Sequence, residues 1–283
     1  MDHTKWAPEL EIGIPFVDAD HKVLVSLLNQ TEACIEQREE TVLLGSVLSA
    51  LAEYVSYHFA REEKLFEGCG YAGAGFHIKI HRDLETEVLA LCRRFEDDPQ
   101  SVEADEVHDF LHDWLVEHIV GHDFAFRSAC IGNEEAIAAA AAMPFFKGGG
   151  DKAVTATEWG SLRVLVIDDN PNMLNLIKTI LMIGGIEDIE LTESANEGLT
   201  RLARRQVDVV LCDWVMDDMN GAEFARYAAE METGAKVVLL TGYSIDVVRQ
   251  GAAGAEISGY LEKPITATGL LEMLAGLSPP GHA

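Results

Sequence analysis

Positive charge is what this chain has least of. Its 283 residues carry 21 lysines and arginines against 48 aspartates and glutamates, a formal net charge of −27. A phosphate backbone is bound by a basic stripe, so nucleic acid is not an expected partner. The deficit runs through both halves: 26 acidic and 10 basic residues lie in 1–131, and 18 and 9 in 161–283. Cysteine is scarce too. The five, Cys34, Cys69, Cys92, Cys130 and Cys212, form no CxxC pair and are odd in number. They suit free thiols in a reducing compartment better than a disulfide framework. The nearly uncharged apolar stretch 136–146 is too short to cross a bilayer and contains Pro144. The opening Met1-Asp-His-Thr-Lys5 has no basic region followed by an apolar one, so no signal peptide is expected. These absences lead to the expectation of a cytoplasmic protein without membrane insertion.

What is present falls into two rhythms. From Asp18 to Ile131 apolar residues recur at helical spacing, predicting helices at roughly 18–37, 41–67, 71–95 and 103–130. Four long helices with short joints predict an all-α up-down-up-down bundle over 1–131. From Leu162 short β-rich runs at 162–167, 188–192, 207–212, 236–240 and 257–261 alternate with helical stretches. That alternation predicts an α/β doubly wound, parallel five-stranded sheet over 161–283. Between them, 132–160 is expected to be a linker: an Ala-rich helix former, then the flexible Gly148-Gly-Gly150.

Nine of the ten histidines precede residue 131. His58 and Glu62 are four apart on the second helix and share a face, as do His77 and His81 on the third. On the fourth, His118 and Asp123 are five apart, about 140° around an α-helix, and are expected to flank its buried face from both sides. His21 sits near the start of the first helix, after Asp18 and Asp20. One histidine on an apolar face is usually a satisfied core residue. Four such placements on four successive helices are another matter, because burying them unpaired would cost several kcal/mol. Imidazole with carboxylate suits iron, the splayed pair on the fourth helix suits two adjacent metals, and the lack of thiolate ligands argues against structural zinc. His108, His112 and His122 are read as surface histidines.

In the second half, strand one ends in Asp168-Asp169, strand three in Asp213 and strand four in Thr241, while strand five is followed by Lys263-Pro264. Sites in doubly wound sheets form outside the carboxyl ends of the strands, where these residues should converge. Three carboxylates in one pocket repel, so Mg²⁺ is expected among them.

The motifs Trp6-Ala-Pro-Glu-Leu10-Glu-Ile-Gly-Ile14, Val17-Asp-Ala-Asp-His21-Lys, Tyr57-His-Phe-Ala-Arg-Glu62-Glu, His77-Ile-Lys-Ile-His81 and Trp114-Leu-Val-Glu-His118-Ile-Val-Gly-His-Asp123 resemble the hemerythrin family in its bacterial form. The resemblance covers about 6–131. It implies that His77, His81 and His118 ligate one non-haem iron, and His21 and His58 a second. Glu62 and Asp123 would bridge both, with an oxo or hydroxo group, leaving a place on the second iron for O₂. It further implies that Trp114, Leu115 and Ile119 help line a dry O₂ pocket. The ordered set Asp168-Asp169, Asp213, Thr241 and Lys263-Pro264 resembles the response-regulator receiver domain over about 161–278. That implies a phosphoacceptor at Asp213, Mg²⁺ held by Asp168, Asp169 and Asp213, and Thr241 and Lys263 on the phosphoryl oxygens. Tyr260 would be an aromatic switch and a histidine kinase the phosphodonor. Asp217 stands where that family usually has proline.

Together these readings predict a two-component signalling protein, not an enzyme in the ordinary sense, that joins an oxygen or redox sensor to a phosphorylatable receiver. No output domain is recognisable after the receiver, so the message is expected to pass to a partner protein. An oxygen store whose location is set by the receiver is the alternative. A histidine phosphotransfer bundle is a third reading, although it needs only one exposed histidine.

Overall fold

The computed structural model describes residues 6–37, 41–146 and 159–277. The chain divides into two compact units, 1–145 and 146–283. His3, His282 and the Gly148–Gly150 joint lie outside the described residues.

The first unit is helical: α1 (Pro15–Gln37), α2 (Thr41–Cys69), α3 (Ala74–Asp97), α4 (Ala104–Glu117), a π-helical turn (His118–Asp123), α5 (Phe124–Cys130) and α6 (Glu134–Ala141). The Asp18 carboxylate accepts from the Ile12 and Gly13 N–H groups at 2.7 and 3.0 Å, which fixes the incoming arm against the start of α1. α2 is the central helix, packed against α1, α3 and α6. Among the described residues it alone is long and apolar enough to cross a membrane, and 67% of its most apolar window is buried inside the unit.

Two features depart from the expected bundle. The fourth helix is not one α-helix but α4 and α5 joined by the π-turn. The 134–141 stretch, expected within the linker, packs as α6 along α2. Gly68 permits that approach: a Cβ there would lie 2.6 Å from Ala136 Cβ. Asn133 starts α6 by accepting from the Ala136 N–H, and its own amide donates to the Gly68 carbonyl.

The second unit is a parallel sheet in the order β2-β1-β3-β4-β5. Its elements are β1 (Arg163–Ile167), α7 (Pro171–Ile183), β2 (Asp188–Thr192), α8 (Ala195–Arg204), β3 (Val209–Asp213), α9 (Gly221–Glu230), β4 (Lys236–Thr241), α10 (Ile245–Gly251), β5 (Gly259–Glu262) and α11 (Ala267–Gly276). β3 is buried along its whole length, as a strand covered on both faces must be. The chain reverses its winding at β1, which pairs with β2 on one side and β3 on the other. In register, Ile167 pairs with Cys212, Asp213 with Leu240 and Thr241 with Glu262. Asp168, Asp213, Thr241 and Lys263 therefore emerge along one edge. Gly221 keeps α9 close beneath it, since a Cβ there would lie 2.7 Å from the Asp213 carbonyl oxygen.

Candidate metal centre and acidic pocket

The centre of the bundle collects His21 from α1, His58 and Glu62 from α2, His77 and His81 from α3, and His118 and Asp123 from the π-turn. All seven are 0–2% exposed. Their ligand atoms form two overlapping groups, Glu62–His77–His81–His118 and His21–His58–Glu62–Asp123, each lying within 4.8 Å. The π-turn decides how the last two contribute. Its bonds close between residues five apart, so residues i and i+5 stack rather than splay. His118 Nε2 and Asp123 Oδ1 lie 3.0 Å apart, on one side of the helix. The expectation that they flank the buried face from both sides assumed α-helical winding and is corrected here.

Close approach has not produced hydrogen bonding. His21 Nε2 lies 3.1 Å from Asp123 Oδ2, His77 Nε2 3.1 Å from Asp123 Oδ1, and His81 Nε2 3.2 Å from Glu62 Oε2. Yet the Nε2 atoms of all five histidines and all four oxygens of Glu62 and Asp123 lack a hydrogen-bond partner. Such groups in a core demand compensation. Lone pairs that converge without bonding one another are oriented for a shared cation. Two histidines are fixed from behind. His58 Nδ1 faces Asp20 Oδ2 at 3.4 Å, and His81 Nδ1 faces Glu63 Oε1 at 3.2 Å. A carboxylate only accepts, so each Nδ1 holds the proton and each Nε2 presents its lone pair inward.

Electrostatics reflect the crowding. Burial and Asp123 push the Glu62 carboxyl up, but His58, His118 and His81 outweigh them and hold it down to about 2. Burial lowers His118, while Asp123 and Glu62 raise it to about 10. Apolar rings close the walls: Phe59 stacks on His81 at 3.8 Å, Phe66 lies 4.9 Å from His77, and Trp114 stacks on His118 at 4.9 Å. Leu115 and Ile119 are buried on the same side of the fourth helix, and Trp114 is half-buried.

At the sheet edge, Lys263 Nζ lies 2.8 Å from both Asp168 Oδ2 and Asp213 Oδ1. Asp213 Oδ2 also accepts from the Val215 N–H at 3.1 Å. Asp168, Asp169 and Asp213 form a third group able to hold a cation. Burial raises Asp213 and Asp168 against the pull of Lys263, and raises Asp169 with help from Asp168. Thr241 is buried, and its hydroxyl accepts from the Tyr243 N–H at 2.9 Å. Tyr260 is half-buried against the core, with the Arg249 guanidinium 5.3 Å from its ring. Asp217, where the receiver pattern has proline, adds its negative charge to those that raise Asp169.

Comparison with known proteins accords with both descriptions. The hemerythrin HHE cation-binding domain matches residues 12–128, and the response regulator receiver domain matches 164–275. Over 129 residues the chain is 32% identical to a bacteriohemerythrin of Pseudomonas aeruginosa, covering 46% of this chain and 82% of that one. The chain belongs to the hemerythrin family. A second bacteriohemerythrin, from Methylococcus capsulatus, is 32% identical over 40% of this chain and 85% of its own. The hemerythrin bundle is joined to a receiver domain. That half is 29% identical to the transcriptional regulatory protein GlrR of Escherichia coli, over 39% of this chain and 25% of that one. A solved receiver domain from Clostridium thermocellum is 30% identical, covers 41% of this chain and 93% of that one, and gives a TM-score of 0.38.

The structure brings the expected hemerythrin side chains to one centre, with Glu62 shared by both groups. His112 is exposed and His122 half-buried, 6.2 Å from the His77 ring. His108 departs from its reading as a surface residue. It is 8% exposed, and its Nδ1 lies 3.2 Å from the Thr31 hydroxyl. Sequence reasoning gave no individual role to Asp20, Glu63, Phe59 or Phe66. Asp20 precedes His21 and Phe59 follows His58, so adjacency to a ligand was the available signal.

Proposed function

We propose that the chain is a two-component signalling protein in which a di-iron hemerythrin bundle senses oxygen or redox state and a receiver is phosphorylated on Asp213. The observation that carries the first half is the set of partnerless, converging lone pairs at the bundle centre. His77, His81 and His118 would hold one iron, His21 and His58 the other, and Glu62 and Asp123 both. Bound there, the irons would supply reversible redox chemistry and affinity for O₂. The chain's own residues orient the ligands and exclude water. Asp20 and Glu63 fix ring tautomers, while Phe59, Leu115, Ile119 and Trp114 form an apolar wall that disfavours charge separation.

In the receiver, Lys263 holds the Asp213 carboxylate in place and would pair with the charge a phosphoryl group adds. Asp168, Asp169 and Asp213 would hold Mg²⁺, which screens the acceptor from an anionic donor. Thr241 would bond the phosphoryl oxygens, and Tyr260 would report their arrival. A histidine kinase is the phosphodonor this chemistry calls for, and a partner protein in the cytoplasm would receive the signal. The five centre histidines are buried, which speaks against their acting as phosphotransfer groups towards another protein.

The test is metal analysis with an optical spectrum before and after air exposure, together with phosphorylation by a small phosphodonor in the reduced and oxidised forms. Two irons per chain and a phosphorylation rate that depends on iron state are expected. Equal rates in both forms would refute coupling.

A further inference from the structure

One polar chain in the bundle starts at the metal centre and ends where the polypeptide leaves the first unit. His58 Nδ1 faces Asp20 Oδ2. Asp20 Oδ1 accepts from Arg61 Nη1 at 2.6 Å and from the Tyr54 hydroxyl at 2.9 Å. Arg61 then donates from Nε and Nη2 to the Ala140 and Ala141 carbonyls, both at 3.3 Å. Those carbonyls close the last turn of α6, where a helix attracts cations. The guanidinium lies 4.5 Å from the Phe16 ring and 5.0 Å from the Tyr57 ring. Tyr57 donates to the Met143 carbonyl at 2.8 Å, and Phe145 packs on Tyr57 and Tyr54 at 5.2 and 6.0 Å.

His81 provides the contrast. Its Nδ1 also meets a carboxylate backed by an arginine, Glu63 with Arg82 at 2.7 Å. Arg82, however, is 52% exposed and returns to Glu85 on its own helix. The Arg61 side chain is 9% exposed and grips a separate segment. A solvent-facing arginine suffices to back a histidine's carboxylate. Burying one is costly unless its nitrogens find acceptors; Nη1 of Arg61 is used on Asp20, and Nε and Nη2 on the exit segment.

We propose that Asp20 and Arg61 are positioning residues that couple His58 to the exit segment 140–145, so that the hold on the last turn of α6 depends on whether a metal engages His58. With Nε2 bound, the ring is fixed and Nδ1–H stays on Asp20. With Nε2 unbound, the ring turns more freely, and Asp20 and the Arg61 fork lose their anchor. The inference rests on the proposed metal centre and adds a route by which its state reaches the chain leading to the receiver.

Hydrogen exchange of the full-length protein, metal-free and iron-loaded, tests it, with iron content measured on the same samples. Iron loading is expected to slow the amides of 141–143 roughly tenfold more than those of 91–95 at the end of α3, which the Arg61 chain does not touch. Arg61→Gln should still take up two irons at saturating iron, though with weaker affinity, and lose that difference. Tyr57→Phe, a milder change, should speed exchange at 142–143 a few-fold in both forms. Equal slowing of both segments in a protein that holds iron overturns the inference alone, as does an intact difference in Arg61→Gln or unchanged exchange in Tyr57→Phe. Absence of iron uptake overturns the metal centre with it.

Discussion

The two charged sites of this molecule solve one problem in opposite ways. At the bundle centre, five imidazoles and two carboxylates are sealed from water, and their inward-facing atoms have no hydrogen-bond partner. In the receiver, three carboxylates are crowded at a sheet edge, but Lys263 lies between two of them and Asp169 is exposed. The first site leaves its converging atoms without hydrogen-bond partners, and their arrangement could hold cations. The second carries a cation of its own in Lys263 and keeps one carboxylate open to solvent. A buried cluster whose converging atoms lack hydrogen-bond partners points to a permanent ligand; a lysine-paired, half-open one points to a transient one.

The sharpest separation of the sites is by Asp213→Asn, which should reduce phosphoryl uptake from a small phosphodonor to background while iron content stays unchanged. Phosphate-affinity electrophoresis and metal analysis on one preparation check both halves. Iron lost along with the phosphoryl group would break the distinction. Chelating the iron comes next. The bundle's melting transition in calorimetry should fall by roughly 10 °C or more while the receiver's does not move, because only the bundle relies on a bound ion for compensation. A common shift of both transitions would show that the units do not melt separately.

Lys263→Met should destabilise the receiver by about 2–3 kcal/mol in urea, since it leaves Asp168 and Asp213 facing each other unpaired. Millimolar Mg²⁺ should restore part of the loss; no response to Mg²⁺ would mean the three carboxylates do not gather a cation. The smallest effect is expected at Asp218. Its carboxylate accepts from the Ser194 hydroxyl, the Ala195 and Asn196 N–H groups and the Asn196 amide, tying the β3–α9 loop to the start of α8. Asp218→Ala should cost the receiver about 1 kcal/mol and leave iron content as it was.

Much of this was legible beforehand because it depends on period. Helical spacing placed His58 with Glu62 and His77 with His81, and strand runs ending in Asp168, Asp213 and Thr241 put those residues at one sheet edge. The misread features depend on something other than period. Reading His118 and Asp123 as splayed required an α-helix, and a π-turn is set by what its side chains must reach. His108 looks like a surface residue on its own helix; Thr31, 77 residues earlier, makes it a buried one. The 134–141 stretch is Ala-rich and locally featureless, and only the groove beside Gly68 makes it part of the bundle.

The sequence by itself determined two folds in series, the residue types at both sites and the face of each helix or strand that carries them, since all of these follow from local geometry. Tertiary structure alone decided that His118 and Asp123 share a side, that the 134–141 stretch packs along α2, and that Asp20 and Arg61 lead from a ligand to the end of α6. The Asp20–Arg61 route depends on distances between residues 38 to 80 positions apart. Only the packed chain, with its polar groups out of water and forced to find partners, fixes them.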